Sequence, residues 1–498
     1  MTESSPAGAG VAYASGPGRW ILLTTILGSG LASLDASVVG VALPTIGREL
    51  HVDLAALQGV VNGYTLTLAG LLLLGGGLGD RFGRRRVFQV GVVWFALASL
   101  LCGLAPDAPV LVAARALQGV GAALLTPGSL AVLHAAFRAE DRSRAVGAWS
   151  GLGGVAVAVG PFLGGWILGV GSWRWLFLIN LPVAVVVVLV SSRHVPESRA
   201  PHVDGRLDVL GALTITATLA ALTYGLVEGP GRGWSSAAVL GSLLAAVLLF
   251  GAFLLREARA RNPLLPLGLF RRRQFSAVNA VTFVVYAALG GTFFLLPVVL
   301  QTAVGYSPLA AGTSLLPVTV VMLLLSSRSG ALAARRGPRL QLSAGPLIAG
   351  AGLLLLTRLD ASGSYPTQVL PAVLVFGLGL AVTVAPLTST ALDAAPDAQA
   401  GIASATNTVV ARTAGLVAVA VLPAAAGISG DDYLRPVALL GGFHAAVVIA
   451  AIVCAAGGVL AALTLRTGAG TDTDQSEAPA PHEMSCALDA PPLRRGGR

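Results

Sequence analysis

The chain has 498 residues, of which 55% are hydrophobic and 11% charged, and its net charge is +9. The apolar residues come in runs of roughly 20, the length that crosses a bilayer, which excludes the several soluble domains that such a length would otherwise suggest. There is no lysine, and the arginines sit in short loops between apolar runs rather than along one face, which excludes a nucleic-acid surface.

In chain order, residues 1–18 are small and polar, without a basic leader or a cleavage pattern. They read as a disordered terminus before a retained first helix. About fourteen candidate spans follow, at 20–46, 57–78, 87–104, 109–134, 145–170, 175–191, 207–226, 236–255, 276–304, 309–327, 340–357, 369–392, 401–426 and 440–465. From residue 467 the chain turns to Thr, Gly, Asp and Pro and reads as a disordered tail. Cys102 and Cys454 fall in apolar spans and Cys486 in that tail, so they form neither a disulfide framework nor a metal site.

Span 1 carries Asp35 within Leu34-Asp35-Ala36-Ser37-Val38. A carboxylate inside a span costs about 2.5–3.5 kcal/mol on insertion scales, so it faces a cavity, a partner or a proton pathway. Span 4 carries Arg115, which keeps its proton and so acts by biasing a neighbouring acid, or serves structurally. Between spans 2 and 3 stands Gly76-Gly77-Leu78-Gly79-Asp80-Arg81-Phe82-Gly83-Arg84-Arg85-Arg86, a tight cationic turn. Gly83 allows a sharp reversal there, and Asp80 can sit against a helix N-terminus or an arginine. Span 5 carries Gly160, Pro161, Gly164 and Gly165, a kink with room for a close neighbour, whether static packing or a moving joint. Arg412 lies inside span 13 with no acid of that span beside it. Asn62, Tyr64, Gln118, Asn279, Gln301 and Asn407 are polar at span depth and are candidates to line a substrate cavity.

Loops after even-numbered spans hold about 20 arginines and loops after odd-numbered spans about 5, which places the even loops and both termini in the cytoplasm. The loop from Asp393 to Gln399 is an exception, with acids and no arginine. The charged turn returns, altered, at Gly330-Ala331-Leu332-Ala333-Ala334-Arg335-Arg336-Gly337, with both glycines in register and Ala334 in place of Asp80. The echo follows span 10, eight spans on, where a plain twelve-helix duplication would put it six spans on. The economical architecture is an all-α integral membrane protein of two pseudo-symmetric six-helix bundles, at 19–192 and 275–466, with two extra helices inserted at 193–274. Duplicated bundles with a site at the repeat interface are typical of transporters. No nucleotide loop, hydrolase elbow or metal-ligand spacing is present, so neither an ATP-driven pump nor an enzyme is indicated.

Together these residues resemble the major facilitator superfamily, and within it the fourteen-span drug:proton antiporter branch. The turn from Gly76 to Arg85 is similar to the superfamily's loop between spans 2 and 3. Arg115-Ala116-Leu117-Gln118-Gly119 is similar to its span 4 motif, and Gly160 to Gly165 to the antiporter motif of span 5. The branch is carried by Leu34 to Pro44, by Trp173-Arg174-Trp175-Leu176-Phe177-Leu178-Ile179-Asn180-Leu181-Pro182, and by Gly305-Tyr306-Ser307-Pro308. The resemblance covers about residues 19 to 466. It implies a monomer in the bacterial inner membrane that needs no cofactor and exports lipophilic, often cationic compounds in exchange for protons, with Asp35 in proton coupling and Arg115 assisting. The chain departs from the branch at Gly40, where Asn is usual, and at Gly59, where an aromatic residue is usual. A proton-coupled importer and a non-transporting membrane sensor are the alternatives. The span 5 motif argues against the first, and the shortness of the tail against the second.

Overall fold

The computed structural model describes residues 10–199, 207–260, 262–396 and 399–465. Among them are 14 helices long and apolar enough to cross a membrane. They are α1 Gly16–Leu50, α2 Leu54–Phe82, α3 Arg84–Gly103, α4 Ala108–Ala136, α5 Ala139–Val170, α6 Trp175–His194, α7 Val209–Arg232, α8 Ala237–Arg259, α9 Arg273–Thr302, α10 Pro308–Arg336, α11 Arg339–Arg358, α12 Tyr365–Asp393, α13 Gly401–Ala425 and α14 Pro436–Thr464. Several begin on side-chain caps that satisfy free N–H groups: Ser15, Asp53, Asp107, Asp208, Ser236 and Ser307 each accept from a backbone N–H three residues on. Residues 10–18 differ from the expected disorder. Val11 bridges to Phe137, the Tyr13 N–H donates to Asp141 and α1 already starts at Gly16, because Val11 and Tyr13 pack into the apolar cluster around Phe137. The tail expected at 467–498, with Cys486, lies outside the described residues.

The helices pack in a pattern that repeats at an offset of eight. In the first bundle α2 and α3 pack on α4, α1 on α5 and α6, and α3 on α6. In the second, α10 and α11 pack on α12, α9 on α13 and α14, and α11 on α14. The charged turn shares this symmetry. Gly83 and its counterpart Gly337 both hold positive φ, at 113° and 82°, a conformation that glycine adopts without strain. The inserted α7 lies along the seam between the bundles, against both α2 and α13, and α8 packs on α7. Gly70 of α2 makes this possible, since a Cβ there would meet the Thr216 hydroxyl at 2.3 Å. Leu240, Leu244, Val247 and Leu248 of α8 are exposed apolar side chains, the surface a helix presents to lipid.

The bundles meet at one end. Because the helices alternate in direction, that end bears the loops after odd-numbered helices. There Gln58 of α2 donates to Val419 O of α13 at 2.6 Å and Gln301 of α9 donates to Val41 O of α1 at 2.8 Å. The Tyr433 hydroxyl donates to Val52 O at 2.5 Å. Between α5 and α10 the backbones nearly touch: a Cβ on Gly312 would stand 2.1 Å from Pro161 O, and one on Gly165 2.5 Å from Leu309 Cα. Toward the arginine-rich end α5 changes character. A Cβ on Gly147, Gly151, Gly153 or Gly154 would meet nothing within 4 Å, and Leu152, Val155, Val157 and Val159 are exposed around more than one side of the helix. The molecule is closed at the odd-loop end and parted at the arginine-rich end.

Candidate functional site

Asp35 sits near the middle of α1 and is 1% exposed. Its carboxylate collects three donors from two other helices, α4 and α6. Arg115 of α4 is ion-paired to Oδ2, Gln118 Nε2 donates to Oδ1 at 2.7 Å and Asn180 Nδ2 donates to the same oxygen at 3.2 Å. Arg115 and Gln118 are neighbours on one face of α4, three residues apart, and also bond one another. Ser99 Oγ of α3 accepts from Gln118 at 2.8 Å and from Asn180 at 3.3 Å, and itself donates to Phe95 O at 2.8 Å. The guanidinium stacks over the Tyr64 ring at 4.4 Å, faces Phe177 at 5.7 Å, and donates through Nε to Val60 O at 3.2 Å. The donor set suits an ionised carboxylate, and almost every polar atom of the group is used.

Asn180 owes its position to a break in α6. Pro182 cannot donate to the preceding turn, so the helix is interrupted at Ile179 and restarts with Asn180. The break turns a polar side chain, 1% exposed, onto the acid of α1. Sequence reasoning placed Asn180 only within a motif and did not single out Ser99. The available signal was an Asn–Leu–Pro in an otherwise apolar run.

The six expected cavity residues are all buried. Gln118 and Tyr64 belong to the charged network, and Tyr64 also donates to Ala32 O at 3.1 Å. Gln301 fastens the closed end. Asn407 donates to Asn279 Oδ1 at 3.1 Å and to Thr282 Oγ1 at 2.8 Å, joining α13 to α9. Asn62 is 1% exposed and neither amide atom has a partner.

In the charged turn Arg84 closes back on Asp80 at 2.9 Å, so Asp80 meets an arginine. The N-terminus of α3 is held instead by Glu197, beyond α6: its Oε1 accepts from the Arg85 N–H at 3.1 Å, and Oε2 lies 3.7 Å from Arg86. Arg85 adds a bond to Val195 O at 3.0 Å. The turn thus ties α2, α3 and the end of α6 together. In the span 5 motif, a Cβ on Gly160 would stand 1.9 Å from Ser37 Oγ, and one on Gly164 3.2 Å from Val38. Those two glycines let α1 approach, two residues from Asp35, while Gly165 lets α10 approach from the other bundle. Among the described residues no group of three or more His, Cys, Asp or Glu could hold a metal ion.

A buried ion pair inside one of two symmetric helical bundles, parted at one end, defines a membrane transporter of the alternating-access type. The Major Facilitator Superfamily profile matches residues 25–420, and the chain belongs to that superfamily. It is 36% identical over 425 residues to the tetracenomycin C resistance and export protein of Streptomyces glaucescens, covering 84% of this chain and 79% of that protein. It is 38% identical to the puromycin resistance protein of Streptomyces alboniger, covering 82% and 81%. It is 36% identical to the multidrug resistance protein Stp of Mycobacterium tuberculosis, covering 77% and 71%. Among solved structures, a bacterial homologue of the human lysosomal transporter Spinster, inward-facing and unoccupied, superposes with a TM-score of 0.63 at 16% identity, covering 91% of this chain and 98% of that one. A peptide transporter with bound sulfate gives a TM-score of 0.66 at 14% identity, covering 92% and 98%. At these identities the structures speak for the fold alone.

Proposed function

We propose that the protein is a proton-coupled antiporter that exports lipophilic small molecules by alternating access, acting as a monomer in the bacterial plasma membrane with both termini cytoplasmic. The observation that carries this reading is Asp35, a buried titratable group bonded to α4 and α6, linked through their side chains to α2 and α3, and two residues from the α5 contact. Proton binding to Asp35 breaks its pairing with Arg115 and loosens the joint on which the bundles rock. The arginine-rich end is the cytoplasmic one by the positive-inside rule, so the parted state is the one that loads cargo from the cell. Export, rather than import, is supported by the names of the relatives, which are resistance or export proteins. The Gly76–Arg85 turn and the Gly160–Gly165 motif act as joints in this cycle, and the unpartnered Asn62 is the remaining candidate for a substrate contact among the six cavity residues.

The test is Asp35→Asn, which keeps size and hydrogen bonding but removes the titratable group. Everted vesicles made acidic inside should accumulate substrate with the native protein and fail to do so with the variant, though the variant still reaches the membrane. Substrate and proton binding are linked reciprocally. Native affinity should therefore weaken as the pH is lowered, while the variant's affinity stays flat. A variant that still transports uphill on a pH gradient would show that protons travel elsewhere. Native vesicles that instead release substrate under the same gradient would favour the importer.

A further inference from the structure

Asp35 is the sole acid deep within α1–α14; the others stand at helix ends. Arg115 already neutralises it. A second arginine at depth, Arg412 near the middle of α13, is left over. It is exposed, and among the described residues it has no hydrogen bond or ion pair. Its direction follows from the helix around it. Asn407 and Gly415 of α13 face α9, and Leu416 faces α2 and α7. Arg412 stands on the arc between those faces. Exposed between helices of both bundles, it projects toward the gap where the two bundles part.

We infer that this site selects organic anions: a lipophilic body bearing a carboxylate or an ionised phenol, held by charge-assisted hydrogen bonds to Arg412. The inference deepens the exporter reading and rests on it. While the gap is open to water the guanidinium is solvated. When the bundles close over it, that hydration is lost, and an unpaired cation at membrane depth is costly. No acid in the described interior is free to neutralise it. A bound anion supplies the missing charge, so closure favours anionic cargo over a neutral analogue and disfavours a cationic one. This differs from the often cationic cargo that the resemblance implies. Arg412 is planar and permanently charged, a geometry that matches a carboxylate through two parallel bonds.

The experiment uses three matched fluorescent probes, 1-pyrenebutyrate, 1-pyrenebutanol and 1-pyrenebutylammonium, in two assays. One is equilibrium binding to the purified full-length protein, and the other is pH-driven uptake into proteoliposomes. The native protein should bind the anion at least about tenfold more tightly than the alcohol, and the ammonium most weakly. Arg412→Gln should weaken anion binding about 10- to 100-fold, the range for a charge-assisted contact, and leave the alcohol nearly unchanged. Arg412→Lys should keep part of the preference, which a merely structural arginine would not require. Equal or absent binding of the anion by the native protein, or selectivity that ignores Arg412→Gln, overturns the inference. The two readings fail separately. Uphill uptake of the ammonium probe, unaffected by Arg412→Gln, leaves the exporter standing and removes the anion site. Anion-selective binding that depends on Arg412, with no proton-driven uptake of any probe, keeps the site and removes the antiporter.

Discussion

Asp35 and Arg115 would each be expensive alone in the bundle; together, with Gln118 and Asn180, they form a satisfied group. Arg115→Met strands the carboxylate and should destabilise the protein by about 3–5 kcal/mol, whereas Asp35→Leu combined with Arg115→Met should recover most of that loss while abolishing proton-driven transport. Thermal unfolding of the purified variants checks the first part and vesicle uptake the second. A double variant as unstable as the single one would mean that the pair is not the unit of stability. Both charges were legible in the sequence, because a lone Asp and a lone Arg inside apolar spans have few roles open to them. Their partners were not. Asn180 and Ser99 are ordinary polar residues until the break at Ile179 and the packing of α3 on α6 bring them onto Asp35. Glu197 is separated from the charged turn by more than a hundred residues, and nothing local marks it as the group that holds α3.

At the scale of the helix, the glycines of α5 divide it into two halves with different tasks. From Gly160 to Gly165 it is clamped between α1 and α10, whereas a Cβ on any of its glycines before Gly160 would meet nothing within 4 Å. Gly164 faces Val38, with little room to spare, and Gly165 faces backbone of the other bundle, with none. Gly164→Leu should therefore cost about 1–3 kcal/mol by overpacking yet still insert, because the kink at Pro161 is kept, and should lose most transport. Gly165→Leu has to push α10 away and should lower both stability and membrane yield further. Parallel measurement of membrane abundance and vesicle uptake separates the two. Normal uptake by Gly164→Leu at normal abundance would make the motif ordinary packing. The sequence pointed to this helix through its Gly–Pro pattern, which is local. It could not say which glycine serves which neighbour, since that depends on the register of α5 against two helices far away in the chain. The inserted helices show the same limit. Their number followed from the spacing of the repeated turn, but their seat along α2 and α13 depends on Thr216 meeting Gly70.

At the scale of the whole molecule, topology and conformation make separate predictions. Cys102 and Cys454 are buried, and Cys486, outside the described residues, is the thiol to probe with a membrane-impermeant maleimide. The proposed cytoplasmic tail predicts labelling in everted vesicles and not in intact cells, and labelling from outside would refute that placement of the tail. Conformation is tested at the closed end, where Gln58 of α2 reaches Val419 of α13. Alternating access requires that contact to separate once per cycle, because cargo leaves on that side. Gln58→Cys with Val419→Cys, in a background with the native cysteines replaced, should be joined by a short bismaleimide in the state described here. The joined protein should still bind substrate from the cytoplasmic side, since the arginine-rich end stays parted, but should export none. Each single-cysteine variant treated identically should keep transporting. If the joined protein exports at the native rate, the closed end is not a gate, and substrate leaves by a route that does not part α2 from α13.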